Sequence, residues 1–350
     1  MKLFFTILFL QITFLLSAQD NFTFYFNQGL DNYEKAKYTD AINDFSNALK
    51  HKKEAKNDYK IAGALMQRGL CRMYLNSYSS AINDIDDALK LKPEYTNLYF
   101  ARSLILLRDK QYDDAIVWAN KGLKLKPENE PLRLNKIKAK MRKKDFKEAM
   151  ADCDSLLVIN PKSTKALAIK GEGLRRQKKY KEAVAAYTQV IEIDPQNSEA
   201  FYSRAISSAY DKNFDASLSD MNKAMSMDTS ELWTGYNNIA FFIKFEQKDY
   251  TGALDYFDKA IKLNPKFSYA YNNRGYAKIQ LNDLKGARQD INKSLDLDAT
   301  NSFAYKTMAL LLIAENKEKQ ACEQLKKAQQ LGYTDEYDDD VDNLIKVHCK

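Results

Sequence analysis

The chain has little of what catalysis, metal binding and membrane spanning require. Only two of its 350 residues are histidine, His51 and His348, and neither stands in a catalytic or metal-ligand spacing. No glycine-rich phosphate loop occurs. With eleven Gly and six Pro there are too few breakers for a loop-rich or all-β fold. Beyond the first residues no long apolar run exists, so nothing in the body of the chain is suited to span a bilayer. Carboxylates are plentiful, yet no pair is singled out for acid and base work. These absences predict a helical, non-catalytic chain with no cofactor and no resident metal.

What is present is a period. An aromatic-x-x-small pattern places its small residue at Ala41, Ala81, Ala115, Ala149, Ala183, Ser217, Ala253, Ala287 and Ala321, at intervals of 40, 34, 34, 34, 34, 36, 34 and 34 residues. A period this regular means one supersecondary unit stacked on copies of itself. With the small residue numbered 20 of 34, position 8 is also small in most units, as Gly29, Gly69, Ser103, Gly171, Ala205, Gly275 and Ala309. Position 17 is aromatic in the first seven, from Tyr38 to Tyr250, and position 32 is Pro in five, as Pro93, Pro127, Pro161, Pro195 and Pro265. The unit reads as two antiparallel helices that approach closely at positions 8 and 20, with Pro closing the second.

Stretches such as RGLCRMYLNSYSSAINDIDDALKLKP and NRGYAKIQLNDLKGARQDINKSLDLD resemble the tetratricopeptide repeat family. The resemblance runs from Phe22 to about Leu331, with a six-residue insertion near His51 to Asp58 and a two-residue insertion placed before the seventh unit. It implies an all-α, right-handed α-solenoid of about nine helix-turn-helix units over residues 20–334, with 335–350 as a C-terminal capping helix. In the cap, Val341, Leu344 and Ile345 would cover the ninth unit. Its acidic run lacks the spaced ligands and Gly of a calcium loop. The family implies binding of a protein or peptide, with partners that differ from member to member.

The opening MKLFFTILFLQITFLLSAQD has Lys2 before an apolar run and small Ser17 and Ala18 after it, as secretory signals do. Residues 1–19 are expected to be removed, leaving an exported protein, periplasmic or secreted, with no stable membrane insertion. In an oxidising compartment Cys322 and Cys349 are expected to form a disulfide, since a final helix folding back would bring them together. Cys71 and Cys153 lie two units apart and read as buried thiols.

Three Arg–Asp pairs recur at positions 7 and 23: Arg68 with Asp84, Arg204 with Asp220, and Arg274 with Asp290. They are expected to bridge the helices of a unit structurally. The third unit breaks the pattern, setting Arg102 against Trp118.

Charge is uneven: residues 1–120 carry a net +1, 121–181 carry +12 and 182–350 carry −6. The family implies that the first helix of each pair lines the inner surface, which marks Arg108, Lys138, Arg142, Lys165, Arg175 and Arg176 as a candidate basic patch for an acidic protein segment. A solvated basic rim is the alternative. Tyr202, Tyr210 and Tyr276 are candidate flat anchors or inter-unit packing, and Asn238 and Asn272 are candidate donors to an extended peptide backbone. The Lys and Asn clamp by which some family members hold a peptide C-terminus is absent, its positions being Phe26 and Leu30, Met66 and Leu70, and Phe100 and Leu104. Nucleic acid is not an expected partner, because the exported address separates the basic stretch from it. A structural envelope component assembling through its ends or outer face is the alternative function.

Overall fold

The structure, a computed structural model, describes residues 20–55, 57–333 and 340–349. The expected leader, 1–19, and the segment 334–339 before the cap lie outside the described residues. The chain divides between Ile169 and Lys170 into two compact parts. All regular structure among the described residues is helical.

In the first part α1 (Asn21–Glu34) pairs with α2 (Tyr38–Lys50), α3 (Asp58–Tyr74) with α4 (Tyr78–Leu91), α5 (Thr96–Arg108) with α6 (Tyr112–Leu125), and α7 (Glu130–Arg142) with α8 (Phe146–Ile159). The division falls within α9 (Thr164–Arg176). The second part continues with α10 (Tyr180–Ile193). There α11 (Ser198–Tyr210) pairs with α12 (Phe214–Met227), α13 (Leu232–Asn238) with α14 (Tyr250–Leu263), α15 (Ser268–Gln280) with α16 (Leu284–Leu297), and α17 (Ser302–Ala314) with α18 (Glu318–Gln330). Helix α19 (Asp340–His348) closes the chain on α18.

Small residues hold each pair together. All nine residues at position 20, from Ala41 to Ala321, are fully buried. Where position 8 is glycine a side chain would crowd the second helix: a Cβ on Gly171 would lie 2.8 Å from the ring of Tyr187, and one on Gly69 would lie 3.1 Å from the carbonyl oxygen of Ala81. Large residues fill the space between pairs. Phe45, Ile85 and Phe257 are buried, and each such side chain stabilises the stack by about 1.5–3 kcal/mol relative to exposure.

Each intra-unit turn carries a non-glycine residue in the left-handed region: Ala36, Asn76, Lys110, Lys144, Lys178, Lys212, Lys248, Asn282 and Asn316, with φ between 56° and 66°. Around Lys110 the chain makes the two bonds of a Schellman ending, Gln111 N to Leu106 O at 2.9 Å and Lys110 N to Leu107 O at 3.3 Å. This satisfies carbonyls that the first helix leaves free and reverses the chain within three residues. Asn and Asp caps start many helices, Asn129 accepting from Leu132 N at 3.1 Å and Asn197 from Ala200 N at 3.0 Å.

Both insertions are absorbed locally. The six-residue one forms a short 3₁₀ turn, Lys52–Ala55, and lengthens α3 to 17 residues. The two-residue one does not precede the seventh unit. It lies inside that unit's first helix, where α13 widens into a π-helical segment, Ile239–Lys244. The spacing from α12 to α13 is the ordinary one, so the extra length must be taken up as wider turns.

Candidate interaction surfaces

In the first part, four basic side chains of the expected patch lie exposed on first helices. Arg108 ends α5, Lys138 and Arg142 lie one turn apart on α7, and Lys165 is near the start of α9; all four are exposed. None of them has an acidic partner among the described residues. Three cations on and just after α7 are engaged: Lys136 reaches Asp152 at 3.0 Å, Lys140 reaches Asp152 at 2.8 Å and Glu148 at 2.9 Å, and Lys143 reaches Asp113 at 2.6 Å. Burial opposes the charge on Lys140, but those two carboxylates outweigh it and raise its pKa. Helix α7 is thus basic on two sides, neutralised on one and open on the other. Like charges four residues apart cost a helix a few tenths of a kcal/mol, so Lys138 and Arg142 are not there for helix stability.

In the second part, Arg175 and Arg176 differ from those four. Arg176 pairs with Glu172 on its own helix at 3.0 Å. Arg175 is half-buried, and its Nε has no hydrogen-bond partner. Burial pushes the Tyr202 hydroxyl up to about 12, against the opposing charge of Arg175. Tyr210 stacks on Tyr180 at 5.2 Å and meets the edge of Phe242, while Tyr276 lies 5.4 Å from Phe245. These half-buried rings pack neighbouring units together.

Asn238 and Asn272 are not open donors. Both are buried and belong to one amide chain. Asn272 Nδ2 donates to Asn273 Oδ1 at 3.1 Å, Asn273 Nδ2 to Asn237 Oδ1 at 3.1 Å, Asn237 Nδ2 to Asn238 Oδ1 at 3.2 Å, and Asn238 Nδ2 to the Tyr202 hydroxyl. A buried amide calls for hydrogen bonds; two of these four bonds cross to a neighbouring unit, and Asn272 Oδ1 alone of these amide oxygens is buried without a partner. The expectation that Asn238 and Asn272 face a peptide is therefore replaced by a role within the stack.

The three Arg–Asp pairs are bidentate. Arg204 donates Nε to Asp220 Oδ2 at 2.7 Å and Nη2 to Oδ1 at 2.8 Å. The equivalent distances are 3.1 and 2.6 Å for Arg68 with Asp84, and 2.8 and 2.6 Å for Arg274 with Asp290. Each arginine has a third partner in the preceding unit, five residues after that unit's position 20. These are Ser46 at 3.2 Å for Arg68, Thr188 at 3.1 Å for Arg204 and Asp258 at 2.6 Å for Arg274. One guanidinium therefore ties two second helices together. Arg102 uses the same route, pairing with Asp86 of the preceding unit and resting 4.2 Å over the ring of Trp118. Position 11 also serves the buried aspartate, through Arg72 to Asp84 at 2.6 Å and Lys278 to Asp290 at 2.8 Å. The regular spacing of these basic residues was visible in the sequence, although their second contacts were not.

At the C-terminus Cys322 and Cys349 are joined, with Cα atoms 5.2 Å apart. Val341 is buried in the terminal core, with Leu344 and Ile345 packed beside it. Lys306 donates to Asp340 and to the Tyr333 hydroxyl, both at 2.8 Å, and Gln329 donates to Asp342 at 2.7 Å. Cys71 and Cys153 are buried thiols outside that disulfide.

Among the described residues no group of three or more His, Cys, Asp or Glu is placed to hold a metal ion, and no helix is long and apolar enough to cross a membrane. Several large apolar side chains are exposed on second helices, Val117 and Leu125 on α6 and Val158 and Ile159 on α8, with Val158 at 83%.

Models of the tetratricopeptide repeat match residues 66–130, 171–207, 234–267 and 256–289. No curated protein is similar enough in sequence to match. Among solved structures, a tetratricopeptide repeat protein from Parabacteroides merdae is 17% identical with a TM-score of 0.55, over 83% of this chain and 99% of its own. The Cut9–Hcn1 hetero-tetramer of APC/C is 13% identical with a TM-score of 0.51, over 94% of this chain and 76% of its own. At such identities the likeness concerns the fold alone. The repeat matches, the nine-fold recurrence of the position-20 contact and the left-handed turn, and this common fold agree: the chain belongs to the tetratricopeptide repeat family.

Proposed function

We propose that this protein is an exported, non-catalytic interaction scaffold that holds an acidic protein segment on the first-helix face of its third to fifth units. The observation that carries the reading is the group Arg108, Lys138, Arg142 and Lys165, exposed on first helices and without acidic partners among the described residues, while Lys136, Lys140 and Lys143 beside them are paired. Free cations on a rigid helical surface steer and orient an acidic partner. The disulfide between Cys322 and Cys349 supports the exported address, because such bonds persist in oxidising compartments.

The test is crosslinking and affinity capture with the full chain beside a variant carrying Glu at positions 108, 138, 142 and 165. A partner captured by the native chain and lost by the folded variant supports the reading; one held equally by both overturns it. A second reading, assembly through the outer face, is favoured by the exposed Val117, Leu125, Val158 and Ile159. It predicts loss of the partner on Val158→Asp and retention in the charge variant.

A further inference from the structure

The placement of the free cations sets the spacing of the charges they can meet. Arg108 and Arg142 are the last residues of α5 and α7, the same position in successive units, and these two helices pack directly against each other. Axes of packed helices lie about 8–10 Å apart, so equivalent side chains recur at about that step. An extended chain advances about 3.3 Å per residue, and one step therefore spans three residues. Lys138 precedes Arg142 by one turn on the same face, which lets a single carboxylate contact both.

A helical ligand would need something else. Amphipathic helices dock through apolar anchors into an apolar groove. Among the described residues none of the exposed large apolar side chains lies on α5 or α7; in this region they lie on the second helices α6 and α8. The first-helix face offers charge without anchors, which suits an extended segment held by its carboxylates.

We propose that this surface reads an extended acidic segment in which carboxylates stand three residues apart, the first meeting Arg108 and the next meeting Lys138 and Arg142 together. This rests on the acidic-segment reading above and adds a register to it.

The test uses synthetic peptides with blocked ends, equal in length and composition, built of Ser, Thr, Gly and three Glu. One carries Glu at every third position, one carries the three Glu contiguously, and one carries them at every seventh position. A control replaces Glu by Gln. Each is titrated against the full chain by fluorescence anisotropy at low salt, where screening is weak, and against Lys138→Glu/Arg142→Glu, whose folding is checked by circular dichroism.

The expected result is that the every-third peptide binds at least about threefold tighter than the other acidic peptides, an advantage that disappears in the variant. Equal binding of all three acidic peptides, lost in the variant, overturns the spacing and leaves the acidic-segment reading standing. Tightest binding of the every-seventh peptide overturns the extended conformation. No acidic peptide binding better than the Gln control overturns both.

Discussion

The bidentate link between Arg204 and Asp220 allows a quantitative test of what holds the repeats together. Asp220 keeps 11% of its side chain exposed and Arg204 21%, so neither charge can be fully solvated if its partner is removed. Losing one partner of a fully buried pair costs about 3–5 kcal/mol. The residual exposure and the remaining Thr188 contact reduce that to about 2–3 kcal/mol for Asp220→Leu and a similar cost for Arg204→Met. The double variant, which strands no charge, is expected to cost about 2–3 kcal/mol rather than the sum, a coupling of about 2 kcal/mol. The hydrogen bonds to Asp220 hold the Arg204 guanidinium above its ordinary pKa, so it stays charged under the assay conditions. Repeat arrays depart from two-state unfolding, and the cycle is best read as amide hydrogen exchange of residues 198–227 by mass spectrometry, with chemical denaturation alongside. Additive single costs, with coupling below about 0.5 kcal/mol, would refute the claim that this pair joins the helices energetically.

Three further outcomes follow from other parts of the molecule. Lys110 has a φ of 62°, where a side chain costs about 1 kcal/mol; Lys110→Gly is expected to raise stability by about 0.5 kcal/mol and Lys110→Val to lower it, by thermal melts. The Cys322–Cys349 bridge spans 27 residues, and its removal in Cys322→Ser is expected to cost about 2–4 kcal/mol and to raise amide exchange in residues 340–348 first. Uniform exchange across the chain would contradict its role as a local cap. Hydrogen bonding from Arg288 at 2.5 Å, with Lys317 at 2.8 Å, holds the Glu315 carboxyl below the usual glutamate value. Its contribution is therefore full above about pH 4.5 and lost as pH falls through the lower folded value. The stability gap between the native chain and Glu315→Gln should close on that acid limb, and a gap independent of pH would show that the ion pair is not its source.

Sequence legibility varied with the range of the interaction. The position-20 residues and the position-8 glycines could be read because a close helix contact admits only small side chains, and that restriction repeats with the period. The left-handed turn was harder to see. Its nine residues are five Lys, three Asn and one Ala, so no glycine marks the conformation, and the backbone bonds of the Schellman ending impose it instead. The Arg–Asp pairs were legible because both partners recur at fixed positions. The third partner, Ser46, Thr188 or Asp258, was not, since its chemistry varies from unit to unit.

The candidate surface divided in the same manner. Arg108, Lys138, Arg142, Lys165, Arg175 and Arg176 look alike as letters, but only the first four are exposed without acidic partners; Arg176 meets Glu172 and Arg175 turns toward buried tyrosines. Asn238 and Asn272 have the side chains of peptide-binding donors, yet the stack buries them and uses their amides. The sequence by itself determined the helix pairs, their number and the small residues between them, because period and side-chain size act locally. Only the tertiary structure decided which polar groups remain open to a partner, because that depends on what the neighbouring helices have already neutralised or buried.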